Sequence, residues 1–204
     1  MRILVVDDHA IVRDGLRRLL SSDGETSVSE AADGRQALIL AKAQRPDLVI
    51  LDLNLPGLGG LELLRRLLQA GAAKVLILSM HAEPLYARRA LEAGAHGYVS
   101  KNAAPDELLL AVSRVTAGGR YVEAELAQSI AAPGSGSRQK LDNLSVRELE
   151  IMRLLAKGSS LAEIAAALGV GYKTVANNCT LIKSKLGVAR TADLVRLAIE
   201  TGVS

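Results

Sequence analysis

The chain contains no Phe and no Trp, and Tyr occurs only four times in 204 residues. A core must therefore be filled by Leu, Val, Ile and Ala, and 49% hydrophobic residues supply ample material for one. The single cysteine, Cys179, excludes an internal disulfide and fits a reducing compartment. No apolar stretch approaches the ~18 residues of a membrane span. The N-terminus runs directly into Arg2-Ile3-Leu4-Val5-Val6 and then Asp7-Asp8, too short and too soon acidic for a secretory signal. A soluble, cytoplasmic protein with no membrane partner is expected. Net charge is small, at +3, but uneven. Residues 1–125 carry 15 Lys/Arg against 16 Asp/Glu, whereas 126–204 carry 10 against 6. A basic C-terminal third suits a polyanion partner, although a basic solvated surface accounts for the same excess.

What is present first is an alternation of strand and helix, repeated five times. Strands are expected at 2–7, 28–31, 47–52, 74–79 and 96–99, and helices at 10–21, 35–44, 61–69, 84–93 and 105–117. Ile11, Leu16, Leu19 and Leu20 supply the apolar side of the first helix. Asp33-Gly34 reads as a turn, Gly59-Gly60 as a loop, and Gly94 and Gly118-Gly119 as helix stops. Such alternation implies right-handed crossovers and an α/β fold whose parallel sheet is covered on both faces.

Leu48-Val49-Ile50-Leu51 is an apolar run that ends in Asp52 and is followed by Leu53-Asn54-Leu55-Pro56-Gly57. It reads as a strand buried on both faces. Asp52 then stands at the carboxyl edge of the sheet, where ligands bind in open α/β folds. Asp7 and Asp8 end the first strand at the same edge, Ser79 ends the fourth, and Lys101 follows the fifth. Crowded carboxylates repel unless a cation is present, and hard oxygen donors suit Mg²⁺. The set reads as a phosphoryl-transfer site. Asp52 is the nucleophile. Asp7 and Asp8 hold the metal, completed by the Asn54 backbone carbonyl. Lys101 neutralises phosphoryl charge and Ser79 donates a hydrogen bond to it. Singly, each has a plainer explanation: an N-cap pair for Asp7 and Asp8, a solvated Lys101, an idle Ser79. Asp52 is harder to dismiss, because an unpaired buried polar group costs on the order of 2–7 kcal/mol. Asn54 and His81 each lie two residues beyond a site residue and are tuning positions, His81 reading equally as a surface residue. His9 reads as a helix-start residue and His96 as structural.

The stretch 118–132 includes a helical segment at 124–130, followed by the Pro/Gly/Ser-rich 132–137, a flexible connector that tethers without transmitting a push. The boundaries expected are 1–120, a linker at 121–140, and 141–204. In the last segment Ser145 with Glu148, and Ser160 with Glu163, have capping-box spacing. Short helices joined by Leu168-Gly169-Val170-Gly171 form a helix-turn-helix, with Ala166 and Gly169 allowing close packing. On the next helix, 173–186, Val175, Cys179, Ile182 and Leu186 form the buried stripe. The opposite side carries Lys173, Ala176, Asn177, Thr180, Lys183 and Ser184, which suits a helix laid in the major groove of double-stranded DNA. Asn177 is placed for adenine, and Ala176 or the Thr180 methyl for thymine methyls. Lys173, Thr174 and Lys183 are placed for phosphates. An ordinary solvated face is the plain alternative. A last helix is expected at 192–200.

Two resemblances now stand on these residues. Asp7-Asp8, Asp52 before Leu-Asn-Leu-Pro-Gly, Ser79, Ala93-Gly94-Ala95 before Tyr98, and Lys101 make residues 1–120 similar to response-regulator receiver domains. The resemblance implies a five-stranded flavodoxin-like sheet in order 2-1-3-4-5. It implies phosphorylation of Asp52 by a phosphohistidine on a sensor histidine kinase, and a Ser79–Tyr98 switch; the plain reading of Tyr98 is a half-buried strand aromatic. Leu144-Ser145, Arg147-Glu148, Glu163-Ile164-Ala165, Lys173-Thr174-Val175, Asn177 and Lys185-Leu186-Gly187-Val188 resemble the LuxR-type helix-turn-helix of the NarL/FixJ regulators. Asn178 and Gly171 depart from that pattern, where His or Tyr and a capping Ser are usual. The resemblance implies pairing through the last helix, making Leu194, Val195 and Ala198 dimer candidates. A phosphorylation-controlled, DNA-binding transcriptional regulator is expected, a homodimer when phosphorylated, with half-sites about 10 bp apart or a multiple of it. RNA polymerase is a further candidate partner. The rivals are a phosphate-independent DNA-binding regulator and an aspartyl-phosphate phosphohydrolase, the latter disfavoured because no second carboxylate occupies position 54.

Overall fold

The structure is a computed structural model that describes residues 1–21, 24–55, 60–80, 84–131, 140–201 and 203. Pro56, Gly57, Gly59, His81 and the connector at 132–137 lie outside the described residues. The chain divides into two compact units, Met1–Ala131 and Ala132–Ser204.

The first unit is a parallel sheet of β1 (Arg2–Val6), β2 (Ser27–Ala31), β3 (Leu48–Leu51), β4 (Val75–Ser79), β5 (Gly97–Ser100) and β6 (Tyr121–Val122). The order is β2-β1-β3-β4-β5-β6. Helices α1 (Ala10–Leu20), α2 (Gly34–Gln44), α3 (Gly60–Gln69), α4 (Pro84–Glu92) and α5 (Pro105–Thr116) provide the crossovers. Every residue of β3 and β4 is buried, as a continuous apolar run between covered faces requires. The β3 run starts one residue later than expected because Asp47 turns its carboxylate to the Arg2 N–H at 2.7 Å, pinning β3 to β1.

Two expectations for the sheet and its first helix need correction. Ile11 does not join the buried side of α1: it is 89% exposed, while Leu16 and Leu20 are buried. Ile11 and Leu16 are five residues apart, roughly 140° around the helix, too far to share one face. The sheet also has a sixth strand. Tyr121–Val122, assigned from sequence to the linker, pairs parallel with Gly97–Tyr98. Two residues carry no periodicity to detect. The pairing is permitted by Gly97, where a Cβ would lie 2.8 Å from the Tyr121 carbonyl oxygen. The following helix, α6 (Ala124–Ala131), packs on α4 within the same unit and buries Leu126.

The second unit contains a 3₁₀ turn (Lys140–Asn143), α7 (Val146–Ala156), α8 (Leu161–Ala167), α9 (Tyr172–Leu186) and α10 (Thr191–Thr201). Both capping boxes form: Ser145 with Glu148 opens α7 and Ser160 with Glu163 opens α8. Val175, Cys179 and Ile182 form the buried stripe of α9, and Leu186 is half-buried. The close-packing role read for Ala166 falls to Ile164 and Ala165 instead, since Ala166 is exposed. Gly169 serves the turn through its left-handed backbone, φ +62°, rather than through close approach.

Candidate functional site

The sheet register delivers Asp7, Asp52 and Lys101 to one edge. The Asp52 N–H donates to the Val6 carbonyl at 2.9 Å, and the Lys101 N–H to the Ser79 carbonyl at 2.8 Å. Asp7 follows β1 and is 1% exposed; Asp52 follows β3 and is 2% exposed. Lys101 Nζ lies 2.7 Å from Asp52 Oδ2 and 2.5 Å from Asp7 Oδ2. The second Asp52 oxygen, Oδ1, accepts the Asn54 N–H at 3.0 Å, an Asx turn that fixes the rotamer. Asp8 is partly exposed at the rim. Ser79 is buried at the end of β4, and Tyr98 is fully buried on β5 opposite Ile77, not half-buried.

Charge is undercompensated here. Burial pushes the Asp52 carboxyl above its ordinary value, the Lys101 ammonium and the Asn54 N–H pull it back, and Asp7 raises it further. Burial acts on Lys101 in the opposite sense, yet Asp52 and Asp7 together hold its pKa above the usual lysine value. One cation facing two buried carboxylates stays charged, while each carboxylate has only a share in it.

The donor set fits a divalent cation. One ligand atom each from Asp7, Asp8, His9 and Asp52 lie within 4.8 Å of one another. Three are carboxylate oxygens, the hard donors that Mg²⁺ prefers. His9 is the N-cap of α1, at the helix start as expected, and its Nδ1 also lies 2.9 Å from Asp8 Oδ1 and 3.2 Å from Asp7 Oδ1. Its adjacency to Asp8 was the available signal. Arg13 was also missed. It donates to the Asp7 carbonyl at 2.7 Å and meets Glu30 at 3.3 Å, contacts set by the seating of α1 that no sequence spacing announces.

In the second unit, α9 exposes Lys173, Thr174, Asn177 and Thr180, with Ala176 and Lys183 half-buried beside them. The Thr180 hydroxyl donates to the Ala176 carbonyl at 3.1 Å, leaving its methyl for an outside contact. Asn178 folds back onto the Thr174 carbonyl at 2.8 Å. Gly171 occupies the N-cap with no side-chain bond. The helix is braced from behind. Buried Glu148 receives Lys185 Nζ at 2.8 Å on both oxygens, and Arg147 reaches the Leu168 carbonyl at 2.5 Å. The dimer candidates require revision. Leu194 and Ala198 are 0% exposed in the core beneath α10, which packs on α7, and present nothing to a partner. The outward apolar residue of α10 is Ile199, 60% exposed, one turn beyond half-buried Val195.

Comparison with known proteins gives a family for each of the two units. Residues 3–113 match the response regulator receiver domain family, and residues 142–198 the family described as bacterial regulatory proteins, luxR family. The chain is 46% identical to the transcriptional activator protein ExaE of Pseudomonas putida, covering all of this chain and 98% of that one. It is 36% identical to the response regulator UvrY of Escherichia coli K12, covering all of this chain and 95% of that one. Among solved structures it is similar to RcsB from Salmonella enterica serovar Typhimurium bound to promoter rprA in the presence of phosphomimetic BeF3⁻. That match has TM-score 0.65 and 27% identity, covering 97% of each chain. The chain therefore belongs to the two-component response regulators that join a receiver to a LuxR-type helix-turn-helix, the NarL/FixJ family. It is a phosphorylation-controlled, DNA-binding regulator of transcription. No helix among the described residues is long and apolar enough to cross a membrane.

The raised Asp52 pKa has a consequence for stability. A folded-state value above the unfolded one contributes stability below the unfolded pKa, and that contribution is lost as pH rises through the folded value. Above the ordinary carboxylate range the buried Asp52 therefore costs stability. In EDTA, Asp52→Asn is expected to melt higher than wild type at pH 7 by about 2–8 °C, on the scale of roughly 1 kcal/mol in domains of this size. Thermal melts taken at falling pH should show the gap closing as the medium approaches the ordinary carboxylate range, about pH 4.

Proposed function

We propose that Asp52 is the phosphoryl acceptor and that its phosphorylation, by a phosphohistidine on a partner kinase, promotes dimerisation and DNA binding. The observation that carries this reading is the Lys101 ammonium held between Asp52 and Asp7 at the sheet edge. An oxygen of the Asp52 carboxylate attacks phosphorus, the O–P bond forms, and the P–N bond to the donor imidazole breaks. The leaving nitrogen keeps the electron pair and takes a proton, and the product is an acyl phosphate. Lys101, already beside the nucleophile, binds the phosphoryl oxygens, and Ser79 donates a hydrogen bond to them. Asp7, Asp8, Asp52 and the Asn54 carbonyl would hold Mg²⁺, which supplies neutralising charge when bound. Ser79 and buried Tyr98, on adjacent strands, form the switch pair.

The donor protein needs a seat beside this edge. An apolar cavity of about 460 Å³ between α1 and α5 is lined by Ile11, Val12, Leu16, Lys101, Pro105 and Leu108. It is continuous with the acceptor site through Lys101, and exposed Ile11 stands at its rim. An amphipathic helix bearing the phosphohistidine fits that chemistry. In the second unit, Asn177, Ala176 and the Thr180 methyl face base edges, while Lys173, Thr174 and Lys183 face phosphates. Val195 and Ile199, four residues apart on one face of α10, are the revised pairing residues.

Intact mass after incubation with Mg²⁺ and acetyl phosphate should show one phosphoryl adduct in wild type and none in Asp52→Asn. An adduct retained in Asp52→Asn would overturn the acceptor assignment. Ile11→Asp should accept phosphate from acetyl phosphate at the wild-type rate but from a phosphohistidine-bearing protein about tenfold or more slowly, the weight of one lost interface anchor. Equal loss with both donors would place Ile11 in the chemistry rather than in docking. On a duplex selected from a random-sequence pool, Asn177→Ala should cost about 1–3 kcal/mol and relax preference at one base pair. Lys173→Ala should instead lower the salt slope of binding by about one unit and leave sequence preference unchanged.

A further inference from the structure

The chain does not leave the first unit where α5 ends. The Tyr121 N–H donates to the His96 carbonyl at 3.1 Å, extending the sheet by β6. Tyr121 is anchored at its far end: its hydroxyl hydrogen-bonds the Glu107 carboxylate, and the Arg114 guanidinium lies 5.7 Å from its ring centroid. Glu123 stands between β6 and α6, and its Oε1 accepts the N–H of Ser100, the last residue of β5. The next N–H along the chain, that of Lys101, is held by the Ser79 carbonyl. Two consecutive N–H groups at the root of the lysine are thus fixed, one by the neighbouring strand of the sheet and one by the segment that leads to the second unit.

We propose that Glu123 is a positioning residue that couples Lys101 to the connector helix α6. Its carboxylate holds the end of β5 where Lys101 bridges Asp7 and Asp52. A phosphoryl group on Asp52 draws Lys101 toward itself, loosens the Ser100–Glu123 bond, and frees α6 from α4. The inference rests on Asp52 as acceptor. It couples the units without a push, because releasing the eight residues of α6 lengthens the tether between them. With α6 docked, the first unit holds the chain as far as Ala131; with α6 released, only as far as Glu123. Coupling of this kind is reciprocal, so cutting the bond from the Glu123 side must alter β5 as well.

The test is amide-exchange mass spectrometry on the full chain, following peptides that cover 97–103 and 124–131. Wild type, Glu123→Ala, Glu123→Gln and Asp52→Asn are compared before and after Mg²⁺ and acetyl phosphate, with intact mass read on the same samples. In wild type the adduct should raise exchange in 124–131 by about fivefold to tenfold, the equilibrium weight of one net hydrogen bond. Glu123→Ala should show that rise without phosphate, in both peptides together, and gain little more on phosphorylation. Glu123→Gln keeps an oxygen that accepts the Ser100 N–H and should behave as wild type. A wild-type adduct with no change in 124–131 overturns the proposal. So does Glu123→Ala exchanging as wild type, or showing a further full rise on phosphorylation, the mark of a residue that only stabilises α6. If intact mass shows no adduct, the acceptor reading is what fails. Glu123→Ala then still decides the contact: joint deprotection of 97–103 and 124–131 supports it, and deprotection of 124–131 alone overturns it.

Discussion

Three strand ends bring two buried carboxylates and one lysine within ion-pair distance, and Lys101 Nζ serves both Asp7 and Asp52 at once. Two buried carboxylates share one ammonium, and Asp8 adds a third carboxylate at the exposed rim, which leaves negative charge undercompensated at this edge. An edge in that condition draws cations and is sensitive to any group that changes its charge. A fold built only for stability gains nothing from it, since buried ionic groups of this kind are commonly neutral or costly compared with apolar replacements. In the proposed mechanism the same imbalance prepares the site for a divalent cation and for phosphoryl oxygens that compete for Lys101.

Coupling between the two units is a question of connectivity rather than of shape. The receiver edge is tied to the connector through β5, β6 and Glu123. The second unit holds its recognition helix by the buried Glu148–Lys185 pair and the Arg147 bond to Leu168, so α9 meets a partner as a preformed surface. Preorganisation limits what phosphorylation needs to alter. On α10 the apolar groups left toward solvent include Ile199, with Val195 half-buried beside it, because Leu194 and Ala198 are consumed by the core.

Much of this was legible in the sequence, for identifiable reasons. The strand run 48–51 and its carboxylate are local features, and the alternating pattern implies a parallel sheet with right-handed crossovers, whereas the strand order came only with the family resemblance. Capping boxes at Ser145 and Ser160 are three-residue signals that need no tertiary context. What escaped depended on tertiary packing. Ile11 looks apolar and is exposed; Leu194 and Ala198 look like interface residues and are core. Periodicity identifies a stripe but not which surface covers it. The two-residue β6 exists because Gly97 leaves room for it, and Glu123 reaches Ser100 from 23 residues away. The clustering of the acceptor residues followed from strand-end arithmetic, whereas Arg13 and Glu123 followed only from how helices seat on the sheet.

In the proposed function, phosphorylation of Asp52 in the first unit sets the DNA affinity of the second. The most direct measurement is equilibrium binding of the full chain to a duplex selected from a random pool with phosphorylated protein, at one fixed salt concentration. Unphosphorylated wild type, phosphorylated wild type, and Asp52→Asn treated with acetyl phosphate are compared. Phosphorylated wild type should bind at least about tenfold tighter, with second-order dependence on protein concentration, and the other two should bind weakly. Equal affinity and equal concentration dependence for all three would contradict it.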